Sequence, residues 1–225
     1  MKIIQARNYK ELSKISSEII LEEIKNKPNL TLGFATGKTP LQTYKNLVNA
    51  YKNKKVDFSK INTFNLDEFY PIKSTNKKSY SYYMFNNLFN KTNFQRKNIN
   101  LLNGETKYPE KESKDYEAKI KKHPIDLQIL GIGLNGHIGF NEPNTPPNSK
   151  THLTELTHIK GKALTMGIST ILKSKKLLLL ASGKKKAKII KDLMNSKPNK
   201  KLPASFLKNH KDLTIIIDND AGSLL

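Results

Sequence analysis

Short apolar runs alternating with stretches of helical periodicity constrain this chain more than any other feature. Residues 2–5, 30–35, 61–66, 99–102, 125–129, 176–181 and 213–217 form runs of four to six residues, too short for an ordinary helix, so each reads as a strand. Between most of them apolar residues recur every three or four positions. Asn8, with Glu11 three residues later, makes a capping-box-like start, and Leu12, Ile15, Ile19, Ile20 and Ile24 follow at helical spacing up to Pro28. Thr39 as N-cap and Pro40 at the first helical position predict a second helix that buries Leu41, Tyr44, Leu47, Val48 and Tyr51. An outer amphipathic helix is predicted over 109–121 with Tyr116 and Ile120 on its inner face, and a further helix over 163–172. A basic helix after Ser182-Gly183 has Ala187, Ile190 and Met194 spaced for burial. Strands that alternate with helices build a sheet covered on both faces, because a parallel crossover needs a long connection. The predicted fold is α/β and Rossmann-like: a mostly parallel sheet of about seven strands with helices on both faces. No internal repeat or long Gly/Ser/Pro linker interrupts it, so one domain over 1–225 is expected.

Chemistry concentrates just after the fifth run. LGIGLNGHIGFNEP, residues 130–143, starts where that strand's carboxyl end emerges, the place where open α/β sheets bind ligands. Gly131, Gly133 and Gly136 spell G-x-G-x-x-G, but the dinucleotide fingerprint needs a helix opening at its third glycine, and Pro143, Pro146 and Pro147 prevent one. His137 with Glu142 five residues on, among glycines that admit close approach of a ligand, reads instead as a reactive pair. A structural loop whose histidine only satisfies backbone groups is the alternative.

Two more strand ends point the same way. Thr36-Gly37-Lys38-Thr39 lies between a strand and a helix start, where free amides and the helix dipole favour an anion. A P-loop is excluded, since that motif has four residues between its glycines and three separate Gly33 from Gly37. Asp67 and Glu68 follow the third strand and can act on a ligand in the crevice, or simply be a solvated acidic pair. The aromatic residues of 79–89 (Tyr80, Tyr82, Tyr83, Phe85 and Phe89) are expected in the core or the pocket wall.

Charge and composition narrow the partners. A formal charge of +21 suggests a nucleic-acid binder, yet the 40 basic residues are spread along the chain and only Arg7 and Arg96 are arginines. No nucleic-acid partner is expected; a basic surface would instead speed encounter with a small anion. The absence of cysteine excludes a disulfide framework, and the five histidines show no metal-ligand spacing. No apolar run approaches the ~20 residues of a membrane span. With no leader apparent at the amino terminus, a cytoplasmic protein is expected.

Four segments in order, FATGKTP (34–40), FNLDEF (64–69), GIGLNGHIGFNEP (131–143) and ALTMGIST (163–170), resemble the glucosamine-6-phosphate deaminase family over nearly the whole chain. The resemblance implies aldose–ketose isomerisation of glucosamine 6-phosphate with hydrolytic deamination, giving fructose 6-phosphate and ammonium, without metal or redox cofactor. It implies that Asp67, not Glu68, moves the proton from C2 to C1, that His137 relays the ring-opening proton, that Glu142 orients this imidazole and that Asn135 assists. Thr36, Gly37, Lys38, Thr39, Gly133, Gly136 and Lys186 would bind substrate, although Lys186, one of three consecutive lysines, could be merely solvated. Two departures stand out. Asn135 replaces the aspartate of some members, which leaves His137 less biased towards its protonated form. The family's mobile lid, which brings an arginine to the phosphate, is shortened to a segment around 152–162, where Lys150, Lys160 or Lys162 could compensate. SKTHLT (149–154) does not match the allosteric pocket of the hexameric members, so no such activation is expected. Whether the chain is a monomer or a homo-oligomer is left open. A non-catalytic sugar-phosphate sensor on the same fold, or a 6-phosphogluconolactonase, are the competing readings; the latter family has a Ser-Leu-Phe stretch after the histidine where this chain has IGFNEP.

Overall fold

Strands buried on both faces need continuous apolar sequence, and the runs at 176–181 and 213–217 supply it most fully. The computed structural model describes residues 1–156 and 161–225. Its elements are β1 (Lys2–Ala6), α1 (Tyr9–Asn26), β2 (Thr31–Phe34), α2 (Lys38–Lys52), β3 (Asn62–Asn65), β4 (Asp67–Tyr70), α3 (Tyr80–Asn87), β5 (Ile99–Asn100) and α4 (Pro109–Lys122). There follow β6 (Leu127–Gly131), β7 (His152–Glu155), β8 (Lys162–Thr165), α5 (Ile168–Leu172), β9 (Lys176–Ala181), α6 (Ala187–Asn195) and β10 (Leu213–Asp218). The seven expected strands form one sheet in the order β1-β10-β9-β6-β2-β3-β5, and every pairing in it is parallel.

The core lies on both faces of this sheet. Phe34, Tyr44, Leu47 and Phe58 pack with Leu12 and Ile20 on one side, while Phe64, Tyr116, Leu179, Ile190 and Ile215 pack on the other. Asn8 caps α1 by accepting the Glu11 amide at 3.0 Å, and the Glu11 carboxylate takes the Arg7 amide at 2.7 Å, one residue earlier than a strict capping box. Tyr44, Leu47 and Val48 are buried as expected on α2, whereas Leu41 and Tyr51 are half-buried. Ala187 and Ile190 are buried on α6, and Met194 is half-buried at its edge. Among the described residues no helix is long and apolar enough to cross a membrane.

Topology selects the ligand position. From β2 the chain moves outward to β3 and β5, and from β6 it moves the other way to β9 and β10, so the order reverses between the neighbours β2 and β6. A crevice therefore opens beyond their carboxyl ends. Residues 35–39 follow β2 and residues 132–142 follow β6, which brings both segments to that crevice.

Two sequence expectations are corrected. Residues 163–165 are a strand, not the start of a helix, and helix α5 begins at Ile168. So short a stretch cannot distinguish the two by periodicity. Pairing decides: β8 lies antiparallel to β4 on one side and to β7 on the other, making a second sheet of order β4-β8-β7 that the periodicity did not reveal. Thr39 is not the N-cap of α2; the helix starts at Lys38 with Gly37 in the cap position. The segment expected to be a shortened lid is, at 152–155, strand β7, while residues 157–160, including Lys160, lie outside the described residues.

Candidate active site

The turn after β2 provides the first wall. Gly37 has φ 114°, and a side chain there would meet nothing within 4 Å, so the glycine is required by conformation and not by space. This conformation turns the chain directly into α2. The amides of Thr36, Gly37, Lys38 and Thr39 have no protein acceptor among the described residues, and they stand at the positive end of a 15-residue helix. Thr36, Gly37, Lys38 and Thr39 line a cavity of about 630 Å³.

The loop after β6 provides the second. The Gly133 amide donates to the His137 carbonyl at 2.9 Å and the Gly136 amide to the Gly133 carbonyl at 3.0 Å, closing a tight turn. The imidazole of His137 lies over Gly133, where a Cβ would come within 2.4 Å of the ring. Within this turn Asn135 bridges its neighbours: its carbonyl oxygen accepts the His137 amide at 3.2 Å and its amide nitrogen donates to Glu142 at 2.7 Å. The other Glu142 oxygen stands 3.5 Å from His137 Nδ1. Glu142 is buried behind the imidazole and does not line the cavity, whereas Asn135 and His137 do. A carboxylate in that place orients the ring and favours its Nδ1–H tautomer.

Asp67 opens β4, where it pairs with Thr165. It lines the same cavity as His137, and a Cβ on Gly139 of the histidine loop would sit 3.6 Å from the Asp67 carboxylate. Burial, reinforced by the adjacent Glu68, pushes the Asp67 carboxyl up to about 8. Glu68 points elsewhere. Its buried carboxylate accepts the amides of Phe69, Tyr80 and Ser81 at 2.9, 2.8 and 2.8 Å and the Ser79 hydroxyl at 2.7 Å. It thereby fastens the start of α3 to the strand that carries Asp67.

That fastening places a residue the sequence did not single out. The Tyr80 phenol lines the cavity beside Asp67, its ring parallel to Phe140 at 5.8 Å, with Phe69, Leu156 and Ala163 packed behind. Burial and then Asp67 raise its phenol above the ordinary value. Five aromatic residues lie within 80–89, and no local pattern marks which one faces a ligand. Ser182 and Lys185 also line the cavity without having been predicted.

Of the remaining predicted residues, Gly133 and Lys186 are at the cavity wall. The Lys186 ammonium, half-buried, donates to the Ile132 carbonyl at 2.5 Å, and burial lowers its pKa. Gly136 does not line the cavity; its missing side chain faces Leu202, where a Cβ would come within 2.1 Å. Neither Lys150 nor Lys162 lines it; Lys162 pairs with Glu155 at 3.6 Å. Among the described residues no three His, Cys, Asp or Glu side chains are grouped to hold a metal ion. The cavity thus joins an amide-rich turn at a helix start, a buried carboxyl and an imidazole backed by a second carboxylate, a set chemically suited to moving protons on an anionic carbohydrate.

Known proteins resemble this chain in sequence and fold. The family described as glucosamine-6-phosphate isomerases/6-phosphogluconolactonase matches residues 5–216. A glucosamine-6-phosphate deaminase of Clostridium novyi (strain NT) is 49% identical over 241 aligned positions, covering 100% of both chains. The structure of a monomeric glucosamine-6-phosphate deaminase superposes with a TM-score of 0.98 at 39% identity, again over 100% of both chains. A 6-phosphogluconolactonase from Thermotoga maritima gives a TM-score of 0.82 at 22% identity, with 96% and 98% coverage, a likeness of fold alone.

Proposed function

This chain belongs to the glucosamine-6-phosphate isomerase/6-phosphogluconolactonase family, and from that premise we propose how its cavity carries out the reaction. The enzyme is a glucosamine-6-phosphate deaminase: it converts glucosamine 6-phosphate and water to fructose 6-phosphate and ammonium. The observation that carries the assignment of roles is that Asp67, His137 and the amides of residues 36–39 line one cavity although they come from three separate strand ends.

The phosphate lies at the 36–39 turn, with Lys38, Lys185 and Lys186 adding positive charge. His137 takes the proton of the anomeric hydroxyl and returns one to the ring oxygen, opening the hexose to an aldehyde. Glu142 keeps the imidazole in the orientation and tautomer this relay needs, and Asn135 ties the two together. Ionised Asp67 then removes the C2 proton, whose electron pair forms the C1–C2 double bond while the carbonyl pair moves onto O1, which takes a proton from the substrate's ammonium; Asp67 returns its proton to C1 of this enolamine as the nitrogen lone pair closes the C2–N double bond. C1 becomes an alcohol and C2 an imine, which water hydrolyses with release of ammonia. The wall of Tyr80 and Phe140 limits water around the proton transfer. Placement in the cytoplasm rests on a phosphorylated substrate that does not cross membranes unaided and on the absence of cysteine.

Purified protein supplied with glucosamine 6-phosphate is expected to release ammonium and fructose 6-phosphate in equal amounts, measured by coupled assays for each. Binding of the sugar phosphate without ammonium release would transfer the assignment to a sensor.

The acidity of the cavity sets a second expectation. A base that works ionised, and whose carboxyl is held near 8 by burial, is largely protonated in the free enzyme at neutral pH. kcat/KM should therefore rise with pH through an inflection near 8. The substrate's ammonium beside Asp67 favours the carboxylate, so the corresponding inflection in kcat should lie at lower pH. Rate profiles between pH 5 and 9 would test this; an acid limb in kcat/KM at the ordinary carboxyl value of about 4 would contradict it.

A further inference from the structure

Three phenol groups end on the carbonyl oxygens of the anion-binding turn. Tyr44, within α2, donates to the carbonyl of Ala35. Tyr83, from α3, donates to the carbonyl of Gly37 at 2.7 Å. Tyr9, the first residue of α1, donates to the carbonyl of Lys38 at 2.8 Å and accepts the Gln42 amide at 3.1 Å.

The consequence follows from peptide geometry. In a planar trans peptide the carbonyl of residue i and the amide of residue i+1 point in opposite directions. Holding the carbonyls of Ala35, Gly37 and Lys38 from outside therefore directs the amides of Thr36, Lys38 and Thr39 the other way. These are three of the four amides that have no protein acceptor among the described residues, in a turn that lines the cavity. The tyrosines reach the turn from three helices, so one loop is braced by the positions of α1, α2 and α3 together. Burial raises the Tyr44 and Tyr83 phenols above their ordinary value, which keeps both hydroxyls protonated as donors across the pH range of activity.

We infer that Tyr9, Tyr44 and Tyr83 are positioning residues that hold the 36–39 turn with its amides aimed at the substrate's phosphate; the inference rests on reading that turn as the phosphate subsite. A turn left to fluctuate would have to order its peptide groups on binding, and fixing them beforehand removes that cost from the affinity.

The test compares Tyr9→Phe, Tyr83→Phe, Tyr44→Phe and the Tyr9→Phe/Tyr83→Phe double variant with the parent. Tyr108→Phe, at a side chain 68% exposed, serves as the control. The readouts are KM and kcat for glucosamine 6-phosphate and the inhibition constant of inorganic phosphate. Loss of one neutral hydrogen bond is expected to raise KM and the phosphate inhibition constant about fivefold, and the double variant about twentyfold, with kcat falling less than KM rises. The control should match the parent. Phosphate inhibiting the single and double variants as it does the parent, or a loss confined to kcat, would overturn the inference. If Tyr44→Phe fails to fold, the two half-buried positions still decide the matter. A failure of the subsite reading would appear earlier, as a parent enzyme that turns over substrate without competition from inorganic phosphate, and would overturn both.

Discussion

Asp67→Asn is expected to lower kcat by about a thousandfold or more, within the range that a positioned general base contributes, while substrate binding persists. Asparagine keeps the shape of the side chain but cannot accept the C2 proton at neutral pH. Solvent deuterium should no longer enter the product at C1, although the phosphate subsite, formed by a different strand end, is untouched. A variant that retains isomerisation, read by deuterium incorporation and fructose 6-phosphate release, would remove Asp67 from its role.

The same substitution should stabilise the fold on the alkaline side. The carboxyl is raised in the folded protein to about 8 from an ordinary value of 3.8. Between those two values the folded state binds a proton that the unfolded chain does not. Stability attributable to Asp67 is therefore greatest below pH 4 and declines, by up to about 1.4 kcal/mol per pH unit, as pH rises towards 8. Asparagine does not titrate, so the variant should show a shallower decline. Urea unfolding of both proteins at pH 5 and pH 8 measures the difference; parallel declines would show that Asp67 is not the buried acid. A carboxyl that costs stability where it works is what a site built for proton removal requires.

The next largest effect is expected at His137. His137→Gln should reduce kcat by about a hundredfold, because glutamine preserves hydrogen bonding but cannot exchange a proton with the anomeric hydroxyl. Glu142 would remain buried, still held by Asn135 at 2.7 Å. The loss should be relieved in part when ring opening is not needed: solvent exchange of the C1 protons of fructose 6-phosphate presented with ammonium, measured for its open-chain fraction, should fall less than forward turnover. Turnover within a factor of two of the parent would show that the imidazole is not the relay.

Much of this site could be read in the chain because its bonds are short-range. The turn from Gly133 to Glu142 closes through contacts between residues two to seven apart, so the letters between them prescribe the geometry. Strands such as β9 and β10 were visible because a strand buried on both faces must be apolar along its length. The same logic failed at 163–165, where an apolar run acquired strand geometry only by pairing with β4 and β7. Nor does local pattern show that a side chain at Gly136, which matches a binding motif, would meet Leu202, 66 positions away.

What the sequence determined alone was the set of elements and the local chemistry at each strand end: an amide-rich turn, an acidic pair and a glycine-framed histidine. What only the tertiary structure decided was their meeting. The reversal of strand order between β2 and β6 opened the crevice, and the pairing of β4 with β8 turned Asp67 into it while Glu68 was spent on the start of α3. Tyr80 faces the cavity, and Tyr9 and Tyr83 brace its turn across 29 and 46 residues, for the same reason. Such contacts depend on register and packing between distant segments, and the burial that raises Asp67 is the sum of several elements closing over one carboxyl, a quantity no local stretch of chain contains.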